Sequence, residues 1–116
     1  MLVNLKLLLF LAQAFAPEAT LRGPSSVFWR GDGYSGSEFA CKSAALRWLG
    51  SSELRNDLPV IATRGKQKPI PCGSTVAVWN LRTGRIALAV KLDTGPVGRD
   101  LSGVFKYVAD LMPRVA

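Results

Sequence analysis

The clearest pattern in the chain runs from position 85 to position 92. Ile86, Leu88, Val90 and Leu92 alternate with Arg85, Ala87, Ala89 and Lys91, the period of two that puts successive side chains on opposite faces of a β-strand. One buried face is expected, because a slip of one residue would expose all four aliphatics. Upstream, Thr75 to Asn80 reads as a hairpin partner across a Leu81-Arg82-Thr83-Gly84 turn, with Val76 and Val78 alternating with Ala77 and Trp79. The expectation is that Ile86, Leu88, Val90 and Leu92 are buried together against the strand of Val76 and Val78. Trp79 then faces away from the core or into a second layer.

Other elements are shorter. Ser26 to Arg30, with Val27, Phe28 and Trp29, reads as a strand, and Gly31 to Ser37 as a turn-rich loop with three glycines. Lys42 to Leu49 fits a short helix with Ala45, Trp48 and Leu49 on one face, ended by Gly50-Ser51-Ser52. Leu58 to Thr63 reads as a strand with Pro59 at its start or edge, and Arg64 to Pro71 as a basic, proline-bearing loop. Leu101, Val104, Phe105, Val108, Leu111 and Met112 recur at helical spacing. They predict a C-terminal helix that Asp100 or Ser102 would cap.

At 116 residues and 48% hydrophobic, the chain supports one domain with a modest core. Internal repeats and low-complexity tracts are absent, which excludes solenoid and disordered classes. The chain carries a net charge of +7 and no His. Without imidazole there is no Ser-His or Cys-His nucleophile pair and no His-based metal site, and two cysteines cannot form a four-Cys zinc site. No metal or cofactor is therefore expected. The basic excess favours anionic partners such as nucleic acid, acidic wall polymers or a membrane surface. With no phosphate-cradling glycine loop and no helix-turn-helix pattern, nucleic-acid recognition is not expected.

Residues 1–16 have the make-up of a secretory signal. Lys6 gives a positive start, Leu7 to Leu11 an apolar stretch, and Ala12-Gln13-Ala14 or Ala14-Phe15-Ala16 a small-x-small cleavage site. The stretch is short for a transmembrane span, which needs roughly 20 apolar residues. The alternative is a retained apolar segment that docks on a partner subunit. Residues 17–25 read as a linker and 26–116 as the domain. Cys41 and Cys72 are the only cysteines, an even count that suggests one disulfide in an exported chain; two unrelated buried thiols are the alternative.

The last third carries a family likeness. Cys72-Gly73-Ser74 leads into the hairpin, which is followed by Asp93-Thr94-Gly95-Pro96 and Gly98-Arg99-Asp100-Leu101-Ser102. This order resembles the domain shared by rare lipoprotein A, expansins and barwin, where a Cys-Gly or Phe-Gly precedes paired strands and an Asp-Arg-Gly-Pro turn precedes an Asp-Leu-Ser helix start. The likeness covers residues 26–112, more loosely before Cys72, where Ser37-Glu38-Phe39 stands for a Gly-Glu step. It implies an all-β fold, a six-stranded double-psi β-barrel with one or two short helices. It also implies a Cys41–Cys72 disulfide, since barwin-like domains bridge an early Ala-Cys-Gly to the later Cys-Gly.

What the resemblance implies about function is peptidoglycan glycan cleavage of the lytic transglycosylase type, in a secreted or periplasmic protein. Asp93 matches the functional Asp of that group and is the candidate acid/base, with Glu38 as second carboxylate; the structural alternatives are an Asx-type hydrogen bond that organises the turn for Asp93 and an ordinary exposed loop residue for Glu38. Asp100 matches a catalytic Asp of expansins and family-45 endoglucanases, and capping is its structural alternative. Thr94 replaces the usual Arg, and Arg64, in Ala62-Thr63-Arg64, stands where the group carries His. Arg64 stays charged and cannot shuttle protons, although it can hold an acidic sugar. Tyr34, Arg64, Lys66, Lys68 and Thr94 are the candidate substrate-binding residues, and Asp32 a more remote carboxylate. Sugars stack on aromatic faces; Tyr34 is expected to be exposed, while core packing is the commoner fate for Trp29, Trp48 and Trp79. Arg30 and Arg55 extend the basic set. Two other readings stay open. One is a non-catalytic polysaccharide-binding or loosening module. The other is a structural subunit of a phage particle, with virion or envelope proteins as partners.

Overall fold

The computed structural model describes residues 20–33, 35–67, 69–95 and 107–116. In chain order these form β1 (Ser25–Val27), α1 (Lys42–Leu49), β2 (Val60–Thr63), β3 (Thr75–Trp79), β4 (Ile86–Thr94) and β5 (Ala109–Leu111). The strands make one mixed sheet in the order β1-β5-β2-β4-β3. Pairing is parallel for β1–β5 and β2–β4 and antiparallel for β2–β5 and β3–β4. The chain is thus mostly sheet with one described helix. Among the described residues the strands number five and the sheet does not close.

β2 lies at the centre, and all four of its residues are buried. The sheet is covered on both faces. On one side α1 contributes Ala44 and Ala45, which pack with Phe28, Phe39, Leu54, Leu58, Val60, Ala62, Val90, Leu92 and Met112. On the other, Ile61, Ala89, Leu111 and Val115 pack with the half-buried Val76, Val78, Ala87 and Ala109. The helix matches its expected span, and Gly50 ends it at φ 72° with its N–H donating to the Leu46 carbonyl. That left-handed cap is cheap for a residue without Cβ. Trp48, expected on the buried face, is instead 53% exposed and donates its indole N–H to the Gly73 carbonyl at 3.3 Å.

The hairpin is present, but its burial differs from the expectation. Val90 and Leu92 are buried, whereas Ile86 is 59% and Leu88 40% exposed. The reason lies in strand length: β2 joins β4 only from Val90 onward, so Ile86 and Leu88 stand on a two-stranded arm with β3 alone beside them. The pairing also places Ala77 opposite Leu88 and Trp79 opposite Ile86 on their face, and Val76 and Val78 opposite Ala89 and Ala87 on the other. Trp79 is 63% exposed. Ala89 and Lys91, expected on a solvated face, are buried. The Lys91 ammonium donates to the Gly65 carbonyl and, at 2.6 Å, to that of Ile70. These bonds tie the basic loop to β4, and burial holds the Lys91 pKa below its ordinary value.

The expected C-terminal helix is corrected at its end. Residues 109–111 are strand β5, wedged between β1 and β2. The apolar positions there are spent at period two, Leu111 facing one core and Met112 the other. The start of that helix falls at 96–106, outside the described residues.

Candidate functional site

Four strands bring one row of residues together. Ser26 of β1 is the register partner of Asp110 in β5, Asp110 that of Ala62 in β2, and Ala62 that of Asp93 in β4. Directly paired residues share a face, so Ser26, Asp110, Ala62 and Asp93 line up on the helix side of the sheet. The register of β2 against β4 shifts between Ile61 and Ala62, a bulge that re-aims the side chains next to it. Two inter-strand steps separate the α-carbons of Asp93 and Asp110, roughly 10 Å. Ala62 is the register position between them.

Each carboxylate is held differently. Asp93 Oδ1 accepts the backbone N–H of Ala40 at 2.9 Å and of Thr94 at 3.0 Å. Asp110 Oδ1 accepts the Ser26 hydroxyl. A Cβ added at Gly95 would lie 2.9 Å from Asp110 Oδ2 and 3.9 Å from the Ala62 methyl, so the close approach of Asp110 requires a glycine there. Burial raises the Asp93 pKa above the usual carboxylate range, against the lowering effect of the Ala40 and Thr94 amides. Burial raises that of Asp110 as well, and the charges of Asp32 and Asp93 raise it further. A half-buried carboxyl whose pKa is raised by its surroundings is suited to general acid catalysis.

The glycine loop flanks this row. Asp32 accepts the Ser35 N–H at 2.7 Å, the Ser35 hydroxyl at 2.8 Å and the Trp29 N–H at 3.3 Å, which folds the loop around its carboxylate. Trp29 beside it is 44% exposed. With Trp48 and Trp79, this makes all three tryptophans exposed; that departs from core packing for Trp29 and Trp48 and agrees with the alternation that turned Trp79 away from the core.

The other sequence candidates fall as follows. Glu38 lies two residues from Ala40, but its carboxylate is exposed and engaged by Lys42 at 3.0 Å. Thr94 closes β4 opposite Thr63 and gives its N–H to Asp93. Arg64 and Lys66 are exposed in the loop after β2. Arg30 pairs with Glu53 at 2.5 Å, and Arg55 is exposed. Tyr34, Lys68 and Asp100 lie outside the described residues. Cys41 and Cys72 form a disulfide with 5.7 Å between α-carbons. Among the described residues, no group of three or more ligating side chains is arranged to hold a metal ion.

Asp110 is the residue that sequence reasoning missed. Its signal was a lone charge inside Val108-Ala109-Asp110-Leu111-Met112, which a helical period assigns to a solvated face and a strand period assigns to the core side. No family model, no curated protein and no solved structure matches the chain.

Proposed function

We propose that this protein acts on cell-wall glycan strands, cleaving peptidoglycan in the manner of a lytic transglycosylase with Asp93 as its central acid–base group. The observation that carries the reading is the row Asp93–Ala62–Asp110, two carboxyls on one face of the sheet, both held above the usual range. Paired, environment-tuned carboxyls are the working parts of glycoside cleavage. The resemblance of Cys72 to Met112 to the rare lipoprotein A group supplies the substrate class. In this reading the sheet belongs to a six-stranded double-psi barrel. The two parallel pairs support it, since each needs a crossover connection.

The Cys41–Cys72 disulfide suits an oxidising location outside the cytosol, which agrees with residues 1–16 as an export signal. Among the described residues no helix is long and apolar enough to cross a membrane. A second reading, a wall-binding module without catalysis, draws on the exposed rings of Trp29, Trp48 and Trp79, which offer stacking faces, and on the lack of His.

The experiment is incubation of the purified protein with purified peptidoglycan sacculi. Soluble glycan fragments support cleavage. Co-sedimentation with sacculi but no release supports the binding module. If neither occurs and the mature N-terminus is Met1, the structural-subunit reading replaces both.

A further inference from the structure

Asp93 and Asp110 share a face but not a hydrogen-bonding environment. Among the described residues, both partners of Asp93 Oδ1 are backbone amides, which can only donate and so favour the ionised carboxylate. The partner of Asp110 Oδ1 is the Ser26 hydroxyl, which donates or accepts as its neighbour requires. Asp110 Oδ2 sits in the space that a side chain at Gly95 would fill. Among the described residues, two other charged groups act on Asp110, Asp93 from β4 and Asp32 from the glycine loop, and both are negative. A third negative charge among them is disfavoured.

We propose that Asp110 is the proton-carrying acid of the site and Asp93 its ionised base. This rests on the glycan-cleaving reading and says which carboxyl does what in it. In the reaction the Asp110 carboxyl gives its proton to the glycosidic oxygen as the bond from that oxygen to the anomeric carbon breaks. Asp93 takes a proton from the attacking hydroxyl, the sugar's own in a transglycosylase, as the new carbon–oxygen bond forms. Asp110 leaves the step ionised and Asp93 protonated, and exchange of one proton with solvent restores both. The α-carbons stand roughly 10 Å apart across the Ala62 register position, on one face of the sheet.

The test is a pH titration of the wild-type protein and of Asp93→Asn read by carboxyl carbon-13 NMR, which needs no substrate. Asp110 is expected to titrate at higher pH than Asp93, and Asp93→Asn to move the Asp110 midpoint down by removing a neighbouring charge. Asp93 titrating last, or an Asp110 midpoint that Asp93→Asn leaves in place, overturns the assignment. Release from sacculi is read separately: a wild type that releases nothing sinks the glycan-cleaving reading whatever the titration order. Where the wild type is active, Asp110→Asn is expected to lose about 10²–10⁴-fold in release, and wild-type release from it overturns the acid role.

Discussion

At the scale of the residue, the carboxyl row costs stability. Asp93 and Asp110 are both held above the usual carboxylate range. Between about pH 4 and the raised folded values, the native state binds more protons than the unfolded chain. Their contribution to stability is therefore fully present below about pH 4 and is lost as pH rises through the folded values. Asp110→Asn removes the group that two like charges oppose. It is expected to raise the melting temperature by a few degrees at pH 7, with a gain that shrinks towards pH 4. Thermal denaturation of wild type and variant at both pH values checks this, and a variant that melts lower at pH 7 contradicts it. Gly95→Ala tests the geometry from the other side. Its Cβ would meet Asp110 Oδ2 at 2.9 Å, a contact that real Cβ atoms do not make. Asp110 or the backbone must then shift, and release from sacculi is expected to fall even where the variant stays folded.

At the scale of the element, β4 divides where β2 joins it. Leu92 is fully buried and Leu88 is 40% exposed, so Leu92→Ala should cost about 2–5 kcal/mol and Leu88→Ala below about 1 kcal/mol. Chemical denaturation measures both, and equal losses would mean that the arm is covered in solution. The alternation of Ile86 to Leu92 was readable because the backbone period is local. Where its burial ends was not, because that depends on β2, a strand from a distant part of the chain. The helix Lys42–Leu49 was legible from its length, spacing and Gly50 stop. Trp48 was misread because apolar character alone does not say which helix face the sheet covers. Asp93 was found from the turn that follows it. Asp110 was not, since four apolar neighbours fit either period, and only pairing with Ser26 and Ala62 gives its charge a meaning.

At the scale of the whole molecule, the Cys41–Cys72 disulfide joins the start of α1 to the lead-in of β3 across 31 positions. In the loop-entropy account such a closure contributes about 3–4 kcal/mol. Replacing both cysteines by serine should remove about that much in chemical denaturation, and a loss within about 0.5 kcal/mol would make the bridge incidental. The bridge also bears on the site. Cys41 donates its N–H to the Leu92 carbonyl at 3.0 Å, and its neighbour Ala40 donates to Asp93, so loosening this corner loosens Asp93 as well. The central claim, that the carboxyl row is a glycan-cleaving site, is tested most directly by comparing wild type with Asp93→Asn on purified sacculi. Asn keeps an oxygen for the Ala40 and Thr94 amides and loses the titrating group. The account predicts soluble fragments from wild type and none above background from Asp93→Asn, at melting temperatures within a few degrees of each other. Equal release from both proteins, or none from wild type, would contradict it.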